Sequence, residues 1–136
     1  LSHARILLAD DNANFLEIAT NFLEPAFEVI GAVQDGQSLL SATAKLKPDV
    51  LIIDICMPIL SGIQAAEKLC NSGSTVKIVF LTLHDDPDFI RASLAAGAMG
   101  YVIKARLAEE LVFAVHEVLA DRIFISPSLG LRKQFY

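Results

Sequence analysis

The chain has 136 residues, 54% of them apolar and 20% charged, with a formal net charge of −5. Such a length suits one domain able to bury a real core, and the composition excludes a disordered chain. The negative balance argues against this chain alone gripping a polyanion such as DNA, and no window reaches the roughly 20 apolar residues of a membrane span.

Apolar runs and helical patterns alternate five times. "ARILLA" reads as a first strand, and Phe15, Ile18, Ala19, Phe22 and Leu23 then fall on one face of a first helix, which Pro25 stops. "FEVIGAV" is a more amphipathic second strand, suited to a sheet edge. A second helix runs from Gly36 to Lys47 and ends at Pro48. "DVLIID" is a third strand, and the turn "PILSG" enters a third helix marked by Ile63, Ala66, Leu69 and Cys70. After the fourth strand, "VKIVFLT", a carboxylate at Asp85 or Asp86 followed by Pro87 is a good helix start, and Gly97 closes that helix. "MGYVIK" is the fifth strand, and Leu107, Leu111, Ala114, Val115, Val118 and Leu119 make a fifth helix. Strand-helix repetition with short loops and right-handed crossovers predicts an α/β fold: a flavodoxin-like, doubly wound, five-stranded parallel sheet in the order 2-1-3-4-5, with five helices. The domain is expected to span residues 1–121. Residues 122–136 lose the periodicity and read as a C-terminal extension or the start of a linker.

Cys56 and Cys70 have neither metal-site nor redox-motif spacing, which suits reduced thiols in the cytoplasm. No export signal opens the chain. The absence of Met before Leu1 suggests a trimmed or engineered end.

In open α/β sheets, ligands bind outside the carboxyl ends of the strands, near the point where strand order reverses. The first strand ends in Asp10 and Asp11, the third in Asp54, the fourth in Thr82 and the fifth in Lys104. Singly, each has an ordinary explanation: a turn-forming Asp, a β-forming Thr, a solvated Lys. Together, on neighbouring strands, they predict one pocket. At an effective dielectric of 20, two unit charges about 4 Å apart cost about 4 kcal/mol, so three carboxylates need a cation. Oxygen ligands without His or Cys side chains point to a hard ion that engages phosphate, Mg²⁺. A carboxylate beside such an ion, with an ammonium and a hydroxyl nearby, is equipped to accept a phosphoryl group.

The stretches "LLADDN", "LIIDICMP", "LSGIQAAEKL", "VFLTLHDD" and "AGAMGYVIKA" resemble the receiver domain of two-component response regulators. "TLHDDPDFIRASLAAGA" and "IFISPSL" resemble the NarL/LuxR subgroup in particular. The resemblance implies that Asp54 accepts a phosphoryl group from a sensor histidine kinase. It implies that Asp11, Asp54 and the main-chain carbonyl of Cys56 ligate Mg²⁺, with Asp10 assisting. It further implies that Thr82 and Lys104 bind phosphoryl oxygens, and that Tyr101 is the switch aromatic. The plain alternative for Tyr101 is a half-buried tyrosine on an edge strand. Cys56 and His84 occupy the two positions that tune dephosphorylation in the family; the plain alternative is that both only line the pocket mouth. Ala105 stands where many receivers carry a proline in cis.

The expected output face is the fourth helix, fifth strand and fifth helix, which could also form a homodimer. The chain is expected to act on no substrate beyond its own phosphoryl group. NarL/LuxR-like regulators continue into a DNA-binding domain that these residues do not supply, which leaves a fragment or a stand-alone chain. A receiver-like interaction module without phosphotransfer is the alternative function, and its mark would be a damaged acid pocket. A haloacid-dehalogenase-type hydrolase would need a second Asp where Cys56 stands. A nucleotide site is excluded because "ADDNANF" has no glycine to admit phosphates to the backbone.

Overall fold

The most apolar runs found in the sequence become the buried inner strands of a sheet. A computed structural model describes residues 3–127. In chain order the elements are β1 (Arg5–Ala9), α1 (Ala13–Leu23), β2 (Glu28–Val33), α2 (Gly36–Leu46), β3 (Val50–Ile53), α3 (Gly62–Asn71), β4 (Lys77–Thr82), α4 (Pro87–Ala95), β5 (Gly100–Ile103), α5 (Leu107–Leu119) and β6 (Phe124–Ile125). A single 3-10 turn, Lys104–Arg106, joins β5 to α5.

All strand pairs are parallel, and the sheet order is β2-β1-β3-β4-β5-β6. This is the expected flavodoxin-like order with one strand added. Five strands were predicted; the sheet has six, because Phe124 and Ile125 pair with Gly100 and Tyr101. Part of the segment expected to lie outside the sheet therefore closes its edge; residues 128–136 of that segment lie outside the described residues. A two-residue strand is too short to show any periodicity. What fixes it is a pair of main-chain bonds, from Phe124 N–H to the Met99 carbonyl and from Ser126 N–H to the Tyr101 carbonyl, each 2.9 Å.

The sheet separates two cores. On one face, α1 and α5 pack Leu16, Leu23, Leu111 and Val115 over Ile6, Leu8 and Val79. On the other, α2, α3 and α4 pack Leu39, Ala66, Leu69 and Ile90 over Leu7, Leu51 and Phe80. The inner strands are apolar on both sides because helices cover both sides. The less apolar β2 lies at an edge, as its amphipathic pattern predicts.

Two helix faces differ from the sequence reading. The buried stripe of α1 is Leu16, Ala19 and Leu23, with Phe15 partly buried beside it. Ala19, Leu23 and Phe15 belong to the predicted set, whereas Leu16 was not in it and Ile18 and Phe22 are 43% and 42% exposed. Cys70, assigned to the apolar face of α3, is exposed.

The helix starts follow local chemistry. Asn12, Asp35, Ser61 and Asp86 cap α1, α2, α3 and α4, and Ser61 with Gln64 forms a reciprocal capping box. Gly36 and Gly62 each open a helix where the β3–α3 loop passes against them. A Cβ at Gly36 would lie 2.1 Å from the Leu60 carbonyl oxygen, and one at Gly62 would lie 2.1 Å from that of Asp54. The Lys104–Ala105 bond is trans. No helix among the described residues is long and apolar enough to cross a membrane.

Candidate functional site

The strand order makes β1, β3, β4 and β5 consecutive neighbours, so their carboxyl ends share one edge. The residues that follow or end them, Asp10 and Asp11, Asp54, Thr82 and Lys104, gather there as the sequence predicts. The backbone holds them in place through bonds that continue the ladder: Asp10 N–H donates to the Val33 carbonyl at 3.0 Å and Asp54 N–H to the Ala9 carbonyl at 2.9 Å. Beyond Asp54 the chain turns sharply, and Gly62 N–H donates back to the Ile55 carbonyl at 2.8 Å.

One carboxylate oxygen from each of Asp10, Asp11 and Asp54 lies within 4.8 Å of the others. Asp10 and Asp54 are buried; Asp11 is exposed at the mouth. The Lys104 ammonium reaches in from the end of β5, 2.7 Å from Asp10 Oδ2 and 3.2 Å from Asp54 Oδ2. Three carboxylates against one ammonium leave two formal negative charges unbalanced, which is the charge of one divalent cation. Asp10 registers the cost: burial raises its carboxyl above the ordinary value, although bonds from Lys104 and the Asn12 N–H pull it down and the Asp54 charge pushes it further up. All three side chains offer oxygen only, so the donor set fits a hard cation such as Mg²⁺.

Thr82 ends β4 fully buried, and its hydroxyl accepts the His84 N–H at 3.3 Å. His84 is a junction. Its Nε2 lies 3.1 Å from the Cys56 sulfur, its ring stacks on Phe89 with centroids 4.3 Å apart, and its carbonyl accepts the Tyr101 hydroxyl at 2.7 Å. Partial burial pushes the Cys56 thiol up, and the carboxylates of Asp54 and Asp11 push it the same way against a smaller opposing pull from Lys104. Tyr101 is not the half-buried edge tyrosine of the plain reading, because β6 covers β5 and the side chain has no exposed surface. Above these groups lies an open hollow of about 230 Å³, whose walls include Asp11, Asp54, Thr82, His84 and Lys104.

Phe15 also takes part in the site, a role the sequence reading missed. It was assigned to the core face of α1, yet the Lys104 Nζ sits 4.1 Å from its ring centroid. Spacing carries no signal for such a contact, since the two residues belong to opposite ends of the chain. Phe89, the ring beneath His84, went unnoticed for the same reason.

The family model for the response regulator receiver domain matches residues 6–116. The chain is 34% identical over 127 residues to the transcriptional regulatory protein DegU of Brevibacillus brevis, covering 92% of this chain and 54% of that protein. Among solved structures, a LuxR-family two-component response regulator from Aurantimonas sp. SI85-9A1 superposes with a TM-score of 0.89 at 30% identity, covering 95% of this chain and 94% of that one. The isolated REC domain of RcsB from Salmonella enterica serovar Typhimurium, in the presence of phosphomimetic BeF3−, gives 0.86 at 25% identity, with 95% and 97% covered. The chain thus spans about half the length of the DegU relative it matches. It belongs to the response regulator receiver domain family, with its relatives in the NarL/LuxR group of two-component transcriptional regulators.

Proposed function

We propose that this receiver domain takes a phosphoryl group onto Asp54 from a phosphohistidine of a sensor kinase, and that the charge so acquired shifts the domain between two conformations. The observation that carries this reading is the meeting of Asp54 with Asp10, Asp11 and Lys104 in one pocket open to solvent. An oxygen of Asp54 attacks phosphorus; the new O–P bond forms as the N–P bond breaks, and the departing imidazole keeps the electron pair. Lys104 is the cation for a phosphoryl oxygen, and the Thr82 hydroxyl is a donor for another. Asp11, Asp54 and the Cys56 carbonyl would hold Mg²⁺, with Asp10 in support. The bound ion would supply neutralisation of the charge on the transferring group.

Phosphorylation adds a charge of about −2 and strong acceptor oxygens. Thr82 turning to those oxygens would release the His84 N–H, and Tyr101, bonded to the same residue, follows as the switch. The face expected at α4, β5 and α5 is the output surface and the candidate homodimer contact, with the α4 and α5 sides of it exposed where β6 covers the β5 edge. Transcriptional output would run through a DNA-binding domain outside these residues, in the cytoplasm. The chain acts on no other substrate: it gains and loses only its own phosphoryl group, with Cys56 and His84 placed to tune the loss.

Incubation with Mg²⁺ and acetyl phosphate, followed by intact-mass measurement, tests the reading. One phosphoryl group is expected on the parent chain and none on Asp54→Asn, while Lys104→Ala is still labelled. A parent chain that stays unlabelled, or an Asp54→Asn chain labelled equally, overturns it in favour of an interaction module.

A further inference from the structure

We infer that Phe15 is a positioning residue for Lys104: the face of its ring holds the ammonium over the acid pocket while leaving it free to change oxygen partners. This rests on the phosphotransfer reading for its consequence, but its geometry stands independently.

An ammonium has three N–H donors. For Lys104, two oxygens accept, Asp10 Oδ2 at 2.7 Å and Asp54 Oδ2 at 3.2 Å, and among the described residues no third oxygen does. The side chain is 4% exposed, so only a small part of it meets the open hollow and little room is left for water to make up the difference. The remaining partner is the Phe15 ring, with Nζ over its face 4.1 Å from the centroid. The ring's quadrupole attracts a cation there, and more strongly once water is excluded.

The choice of an aromatic group has a chemical reason. A fourth carboxylate at this point would hold Lys104 more tightly, but it would also repel an incoming phosphoryl group. An aliphatic side chain would desolvate the ammonium and give nothing back. A ring attracts the cation without adding an anion and without a fixed bond direction. Lys104 must give up an Asp54 oxygen and take a phosphoryl oxygen, and a non-directional hold permits that exchange.

The ring's own position is fixed locally. Phe15 lies in the first turn of α1, where the Asn12 side chain accepts the N–H groups of Asn14 at 2.9 Å and Phe15 at 3.4 Å. Asn12 directly follows Asp10 and Asp11, so one short segment sets both the carboxylates and the ring. Phe15 also packs partly against the core beside α1, so the ring lies between that core and the pocket.

The test is a double-mutant cycle read as the second-order rate constant for labelling by acetyl phosphate with Mg²⁺. Phe15→Leu keeps the apolar bulk and loses the ring face; it is expected to slow labelling about three- to tenfold. Phe15→Trp, which offers a stronger face, is expected to restore the parental rate. In a Lys104→Met background, Phe15→Leu should change nothing further. An equal loss in both backgrounds, or no loss in the first, overturns the inference. Placement is checked separately by NMR. The Lys104 ε-methylene protons should be shifted upfield by the ring in the parent and should return toward ordinary values in Phe15→Leu. Unshifted protons overturn the contact itself. A parent chain that takes no phosphoryl group overturns the phosphotransfer reading, and the NMR shift then decides alone whether Phe15 holds the ammonium.

Discussion

The Tyr101 hydroxyl donates a 2.7 Å hydrogen bond to the main-chain carbonyl of His84. It ties β5 to the loop that leaves Thr82, so the strand that leads into Lys104 and the strand end bearing Thr82 are joined above the sheet as well as within it.

Tyr101→Phe removes that bond and little else, because the ring stays in the same fully buried site. A loss of about 1 kcal/mol is expected in urea denaturation, with faster amide exchange in the loop around His84. The alkaline limb carries a second signature. Burial, followed by the charges of Asp85, Asp54 and Asp86, raises this phenol well above its ordinary value of 10.0. Above pH 10 the unfolded chain therefore ionises Tyr101 while the folded chain does not, and folding loses up to about 1.4 kcal/mol per pH unit from this group. That component should vanish in Tyr101→Phe. Parallel alkaline titrations of the two chains would count against the burial argument.

Asp10 gives a prediction of opposite practical sense, a substitution that stabilises. Its folded carboxyl is raised above the reference 3.8, chiefly by burial. The folded chain then holds the proton more tightly than the unfolded one. This group's contribution to stability therefore improves as pH falls through the raised value toward 3.8, and at neutral pH its charge is a burden. Asp10→Asn keeps an acceptor for the Asn12 N–H, which now bonds Asp10 Oδ1 at 2.9 Å, and removes the charge. In EDTA at pH 7 its thermal midpoint should exceed the parent's, and Mg²⁺ should narrow the gap by favouring the chain with the full acid set. A lower midpoint in EDTA would show that the 2.7 Å bond from Lys104 outweighs the burial cost.

These two residues also mark where sequence reasoning succeeds and where it stops. Asp10, Asp11, Asp54, Thr82 and Lys104 were legible because strand ends in a parallel sheet share an edge, and apolar runs reveal strand ends. That argument needs the backbone path only. The Tyr101–His84, Cys56–His84 and Phe15–Lys104 contacts depend on which way side chains turn between distant segments, and no local pattern encodes that. The same limit explains the missed β6: two residues, Phe124 and Ile125, are placed by main-chain bonds to Met99 and Tyr101 rather than by a pattern of their own. The face of α1 was read correctly at Phe15, Ala19 and Leu23 and missed at Ile18 and Phe22, which helical spacing places at the margin of the buried stripe and the structure leaves exposed.

Gly62 links the helix start to the acid pocket. In an ordinary helix, Gly→Ala gains up to about 1 kcal/mol. Here the added methyl carbon would lie 2.1 Å from the Asp54 carbonyl oxygen and 2.9 Å from Ile53 Cγ2, and main-chain atoms at the end of β3 have no room to yield. The sign should reverse, with Gly62→Ala costing about 2 kcal/mol or more in urea denaturation. Because the displaced atom belongs to Asp54, labelling by acetyl phosphate should fall as well. A stabilised Gly62→Ala chain would mean that the loop does not approach α3 this closely.

Ser126 tests the unexpected sixth strand. Its hydroxyl is buried, accepts the Ile103 N–H at 3.1 Å and donates to Glu110 Oε1. Ile103 immediately precedes Lys104, so this one hydroxyl pins the end of β6 to the turn that carries the pocket's ammonium. Ser126→Ala leaves a buried N–H and a buried carboxylate oxygen without that partner, an expected cost of about 1–3 kcal/mol. Glu110→Gln is the companion variant. It keeps an acceptor for Ser126 and gives up only the charge facing Arg106, whose Nε lies 3.5 Å away on a side chain 45% exposed. Partly exposed pairs of this kind contribute about 0–1 kcal/mol, so Glu110→Gln should be the milder change. Amide exchange at Ile103 should accelerate in Ser126→Ala and stay near the parental rate in Glu110→Gln. If both variants melt with the parent and Ile103 exchange is unchanged, the end of β6 is held by its main-chain bonds alone.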